Sequence, residues 1–178
     1  MRPPAVTAFR PGRGKRNETV EGQFLEIVVF EVGGQQYGLP ASDVRELQRA
    51  ATLTPLPRAP AIVEGVVNLR GAVVPVLDIR SRFRLPPKPM EPTDHFVVAR
   101  AGERLVALRV DRATDLIRVD AADVEEARGA VPGVEYVAWV AKLPHSLVLI
   151  HDLRTFLSRA EAAELDEALP ADREGGLP

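Results

Sequence analysis

Gly65-Val66-Val67-Asn68-Leu69-Arg70-Gly71-Ala72-Val73-Val74-Pro75-Val76-Leu77-Asp78-Ile79-Arg80 sets an arginine and a glycine between two runs of β-branched and aliphatic residues. Runs of this length and make-up are strands, and a two-residue break between them is a hairpin turn. Gly71 takes positive φ at no steric cost, so the dipeptide is the turn. Arg70, at its tip, points to solvent or to a partner and not into the core. Pro75 has no backbone donor, which places its strand at a sheet edge or at a bulge. Asp78 then caps a short helical turn that runs through Phe83.

The flanking sequence reads as further strands. Upstream, Phe24 to Val32 is dense in β-branched and aromatic residues, Gly33-Gly34-Gln35-Gln36 supplies a turn, and Tyr37-Gly38-Leu39 begins the return strand. Pro40-Ala41-Ser42-Asp43 suits one helical turn ahead of Val44-Arg45-Glu46-Leu47. Three prolines between Thr54 and Pro60 make that stretch a connector. Downstream, four prolines between Leu85 and Pro92 form the clearest internal boundary.

The pattern then restarts. His95 to Ala99, a turn at Ala101-Gly102-Glu103, and Arg104 to Val110 repeat the opening hairpin. Leu147 to Phe156 mirrors Val73 to Phe83, with Asp78 and Asp152 lying 74 positions apart. This weak internal repeat predicts two similar small β units. A unit of roughly 70 residues buries little surface alone, so the two are expected to share an apolar seam. The division read from sequence is a basic, disordered tail over 1–21, a first barrel over 22–85, a connector over 86–94, and a second barrel over 95–151. An amphipathic helix over 152–169, capped by Asp152, and a flexible tail over 170–178 complete it.

Composition narrows the function. The chain is 46% hydrophobic with a formal net charge of −2 and no cysteine, and it has no apolar run long enough to span a bilayer. The N-terminus lacks the apolar core of a signal peptide, and a cytoplasmic protein is the expectation. Chemistry is sparse. His151-Asp152 is the one adjacent imidazole-acid pair, with no nucleophile nearby in sequence. His95, His145 and His151 have no metal-site spacing, and Gly33-Gly34 lacks a phosphate-loop framework. No catalytic residue, metal or cofactor is expected. The alternating arginines Arg80, Arg82 and Arg84 are the feature that speaks for nucleic acid, but aromatics are only 5% and the chain carries no net positive charge, so a solvated face is preferred.

Glu26 through Leu157 resembles the CheW family of chemotaxis coupling proteins. The matching pieces are Phe30 to Leu39, Val44 to Leu47, Gly65 to Gly71 running into Val74 to Arg80, Arg109-Val110-Asp111, and Leu147 to Ile150. The resemblance implies an all-β fold with a C-terminal helix, built of two pseudo-repeated, five-stranded SH3-like barrels packed together. It implies a non-enzymatic adaptor that joins chemoreceptors to a CheA-like histidine kinase in large arrays at the inner membrane face. By the resemblance, the surface that binds the receptor's cytoplasmic helical hairpin falls on Val44, Glu46 and Arg70, with Asn68 and Gly71 supporting the turn. The kinase regulatory domain is expected to dock on the second barrel. No nucleic acid and no membrane insertion are implied. Two alternatives stay open: a module of the same fold in a motility or gene-control pathway, and a nucleic-acid-binding barrel. The segment Val137 to His145 departs from many relatives, which carry glycine there.

Overall fold

The computed structural model describes residues 23–127 and 136–170, so both tails read from sequence, apart from Pro170, lie outside the described residues. Eleven strands and one α-helix are described: β1 Phe24–Val32, β2 Gln35–Pro40, β3 Val44–Arg49, β4 Val63–Leu69, β5 Ala72–Asp78, β6 His95–Ala101, β7 Arg104–Val110, β8 Arg112–Asp120, β9 Val124–Glu126, β10 Val137–Lys142, β11 Leu147–His151 and α1 Arg159–Ala168. The fold is all-β with a C-terminal helix, as expected from sequence. Two sheets carry it, in strand order β8-β1-β2-β11-β10-β9 and β3-β6-β7-β5-β4.

The sheets do not follow the division at the proline connector. The opening hairpin β1–β2 pairs with β8 and β11 from the second half, while the hairpin β6–β7 pairs with β3 and β5 from the first. Each half gives its leading hairpin to the other's sheet. The parallel contacts occupy matching places: Ile150 opposite Gly38 in one sheet, and Leu77 opposite Leu108 in the other. The physical reason is burial. A half-chain kept to itself would leave its apolar strands short of partners, whereas the exchange draws both halves into one core. Phe30, Tyr37 and Leu39 pack there with Leu77, Ile79, Val97, Leu108, Leu153 and Phe156.

Both sheets curl. In the second, the chain leaving β3 returns to the far edge, where Thr54 and Val66 exchange backbone hydrogen bonds at 2.8 and 2.9 Å. In the first, a 3-10 turn at Ala121–Asp123 carries the chain directly from one edge strand, β8, to the other, β9.

Three local expectations are revised. Pro75 is not on an edge strand: β5 lies between β4 and β7, but its parallel pairing with β7 begins only at Val76, so no ladder bond is lost at the proline. The C-terminal helix starts at Arg159 and not at Asp152. Asp152 instead caps a 3-10 turn at Leu153–Thr155, while Ser158 and Glu161 form a capping box that fixes the true helix start. The alternating arginines, expected to form a solvated face, do not: Arg80 is buried against Asp111 and Arg82 is largely buried on Glu161, which also leaves the stripe unfit as a phosphate-binding face.

Gly38, on β2 beside β11, has no room for a side chain. A Cβ there would sit 2.5 Å from Ile27 Cγ2 and 3.0 Å from Val148 Cγ1. Gly38→Ala is expected to lower unfolding stability by about 1–3 kcal/mol through overpacking, measured by urea denaturation; a change near zero would show that the β2–β11 contact is loosely packed.

Candidate functional site

The turn between β4 and β5 is built from Leu69, Arg70, Gly71 and Ala72. Arg70 has φ 52° and Gly71 has φ 88°, the pair of left-handed conformations of a type I′ hairpin. The Asn68 side chain accepts a hydrogen bond from the Gly71 N–H at 2.9 Å, which closes the turn. Glycine meets the demand of its position freely, but arginine does not. A non-glycine residue held at positive φ is mildly strained, and strain of that kind collects at functional sites.

The turn places Arg70 with 83% of its side chain exposed, its Nη2 3.3 Å from Glu46 Oε2. Glu46 is on β3, at the opposite edge of the sheet from β4, so the curl of the sheet brings the two together. A pair this open contributes little to stability. It orients the guanidinium and leaves the rest of its planar fork to solvent. A bulge between Val44 and Glu46 allows Val44 to pack partly against the core while Glu46 faces its arginine. The structure therefore gathers Glu46, Arg70, Asn68 and Gly71 where the curl of the sheet brings its two edges together. Val44 sits beside them and offers only part of its side chain.

Two apolar residues here escaped the reading of the sequence. Leu47 follows Glu46, and Val73 pairs with Asn68 on the hairpin; both are substantially exposed. Each falls in a run of strand-forming residues, where nothing in the alternation marks it as surface.

The other barrel carries a counterpart without the arginine. Asp115 on β8 follows a bulge matching the one before Glu46, and Leu116 is exposed like Leu47. Pro144 and His145 occupy the turn positions of Arg70 and Gly71, bracketed by the Lys142–Leu147 pairing that matches Asn68–Val73.

The imidazole-acid pair is not a catalytic dyad. His151 is almost fully buried, and its Nδ1 donates to the Tyr136 carbonyl at 2.8 Å. Asp152 turns away to Arg154, whose Nη2 donates to it at 2.6 Å. Among the described residues, no group of three or more His, Cys, Asp or Glu is placed to hold a metal ion, and no helix is long and apolar enough to cross a membrane.

The family model for the CheW-like domain matches residues 26–161. The chain belongs to the CheW-like domain family. It is 28% identical over 152 residues to the chemotaxis protein CheW of Treponema pallidum, covering 82% of this chain and 89% of that protein. It is 40% identical over 102 residues to the chemotaxis protein CheW of Rhizobium meliloti, covering 56% and 64%. Among solved structures, the scaffolding protein TtCheW from Thermoanaerobacter tengcongensis superposes with a TM-score of 0.68 at 26% identity, covering 72% of this chain and 89% of that one. The two sheets are thus the paired SH3-like barrels of a CheW-like domain.

In this domain His151 is a structural residue, and its titration follows from burial. Desolvation lowers its pKa from 6.5 to about 4, against the opposing effect of the Tyr136 carbonyl. The unfolded chain takes up this proton at higher pH than the folded one, so stability present above pH 6.5 is lost as the pH falls toward 4. Urea midpoints are expected to drop over that window with a cost approaching about 3 kcal/mol, and His151→Leu should remove this component. An unchanged pH slope in the variant would show that the imidazole is solvated.

Proposed function

We propose that this chain is an adaptor of chemotaxis-type signalling, with no catalysis of its own, that holds chemoreceptors and a CheA-like histidine kinase in fixed geometry. The observation that carries the reading is Arg70: a highly exposed guanidinium on a strained turn, oriented by Glu46 and flanked by exposed Leu47 and Val73. A receptor tip is a helical hairpin. Where its helices reverse, backbone carbonyls have no partner within the helix, and a planar guanidinium fork suits such carbonyls or a carboxylate.

In this reading Arg70 and Glu46 set the register of the hairpin, and Val44, Leu47 and Val73 supply apolar contact. Asn68 and Gly71 hold the turn. The names of the relatives, chemotaxis proteins and a scaffolding protein, support the pathway. The kinase regulatory domain is assigned to the second barrel, where the turn positions carry proline and histidine instead. The working location is the cytoplasmic face of receptor arrays.

The strain at Arg70 makes the test specific. Asparagine tolerates the left-handed turn better than arginine, so Arg70→Asn should leave the unfolding midpoint unchanged or slightly raised while receptor capture in pull-down falls about tenfold or more. Kinase capture by the same variant should stay at the wild-type level. Undiminished receptor binding by a stable Arg70→Asn protein would remove this residue from the site.

A further inference from the structure

A cleft of about 160 Å³ opens where the two barrels meet, away from the Arg70 turn. Among the described residues its walls include Tyr37 on β2, Leu149 and His151 on β11, Tyr136, and Arg82 and Phe83 beyond β5. The size is that of a single ring, since an engineered cavity of about 150 Å³ takes up benzene.

The walls are flat as well as apolar. Tyr37 and Phe83 stack with ring centroids 4.2 Å apart and planes 16° from parallel, and His151 stacks on Phe83 at 4.8 Å. The Arg82 guanidinium lies 5.7 Å from the centre of the Tyr136 ring.

Two donors at this cleft have no hydrogen-bond partner among the described residues, and neither is sealed from solvent. The Tyr37 hydroxyl makes no hydrogen bond among the described residues, although the residue is only 7% exposed. Arg82 uses Nε on the Phe156 carbonyl at 3.1 Å and Nη2 on Glu161 at 2.5 Å, which leaves Nη1 without a partner among those residues. His151 contributes only the flat of its ring, because its Nε2 is enclosed.

We propose that this cleft is a binding site for a small one-ring aromatic molecule carrying a carbonyl-type acceptor, stacked on the aromatic wall with its acceptor on the Tyr37 hydroxyl and Arg82 Nη1. Glu161 already balances the charge of Arg82, so a neutral amide fits better than a free acid. Burial raises the Tyr37 pKa and keeps its hydroxyl protonated as a donor. The rings that form the wall come from both barrels, so an occupant would brace the contact between them.

The test is a titration of the full chain with benzamide, followed by aromatic NMR signals, with toluene as a ring of similar size lacking the acceptor. Benzamide is expected to shift the Tyr37, Phe83 and Tyr136 signals saturably with a Kd of about 1 mM, and toluene to bind clearly more weakly. Tyr37→Phe, which keeps the ring, should weaken benzamide about fivefold and leave toluene unchanged. No saturable shift with benzamide, equal binding of the two rings, or full benzamide affinity in Tyr37→Phe would each overturn the assignment.

Discussion

The parallel contacts β2–β11 and β5–β7 are the constraint on which everything else rests. Parallel neighbours cannot be joined by a tight turn, so each of these pairings is made between strands far apart in sequence. Through them the leading hairpin of each half becomes part of the other half's sheet. The two barrels therefore have no independent existence: removing either hairpin would strip two strands from the opposite sheet and open the common core around Phe30, Leu77, Leu108 and Phe156. Fixed relative placement of the barrels follows from that interlock, and a scaffold needs such placement if it is to present two surfaces at a set angle.

Charge completes the seam where apolar packing stops. Arg80 donates to both oxygens of Asp111 at 2.6 and 2.7 Å, and the same carboxylate accepts from the Gly33 N–H at 2.8 Å. The tip of the first sheet's opening hairpin is thereby tied to the second sheet. Burial alone would raise the Asp111 pKa, but the Arg80 fork and the Gly33 amide outweigh it and hold the carboxyl below its usual range. Nearby, buried Arg109 lies 2.8 Å from Glu64 and donates to the Lys88 carbonyl at 3.0 Å, fastening the proline-rich connector. Prolines make that connector unable to pair in a sheet, so side chains must hold it. Such buried pairs are weak as sources of net stability, but each partner left alone would be costly, which makes the arrangement specific.

Much of this was legible in the sequence, and the failures share a cause. Hairpins at Gly33-Gly34, Arg70-Gly71 and Gly102-Glu103 are written locally, because turn chemistry and strand composition act over a few residues. The repeat between Asp78 and Asp152 was visible for the same reason, and both aspartates do accept the backbone N–H two residues on. Which sheet a hairpin joins is not written locally. It depends on pairing partners many residues away, and the proline connector gave a false boundary by marking a loop and not a change of sheet. The helix start was misread because Asp152 and Ser158 are both good caps; the capping box with Glu161 decides between them. At the site, Arg70 was placed at a turn tip from Gly71 alone, but its ion pair with Glu46 required knowing that the sheet curls. The exposure of Leu47 and Val73 required the same knowledge.

If the proposed function holds, the duplicated architecture favours one turn over its twin for receptor contact. Both barrels present the same frame: a bulged edge strand with an acidic residue after the bulge, an exposed leucine next to it, and a hairpin turn. Since the frame is common, it cannot by itself decide what is bound. The difference lies in two positions. Arg70-Gly71 makes a tight turn with both residues at positive φ and projects a guanidinium, whereas Pro144 is locked near φ −65° and cannot adopt that geometry. The second turn instead closes through the Leu143 N–H to the Ser146 carbonyl at 2.9 Å and carries no cation at its tip; its Lys142, on the flanking strand, is paired with Glu125. Two surfaces of like shape and unlike charge, locked together by exchanged hairpins, are suited to two different partners, since a charge that favours one can be withheld from the other.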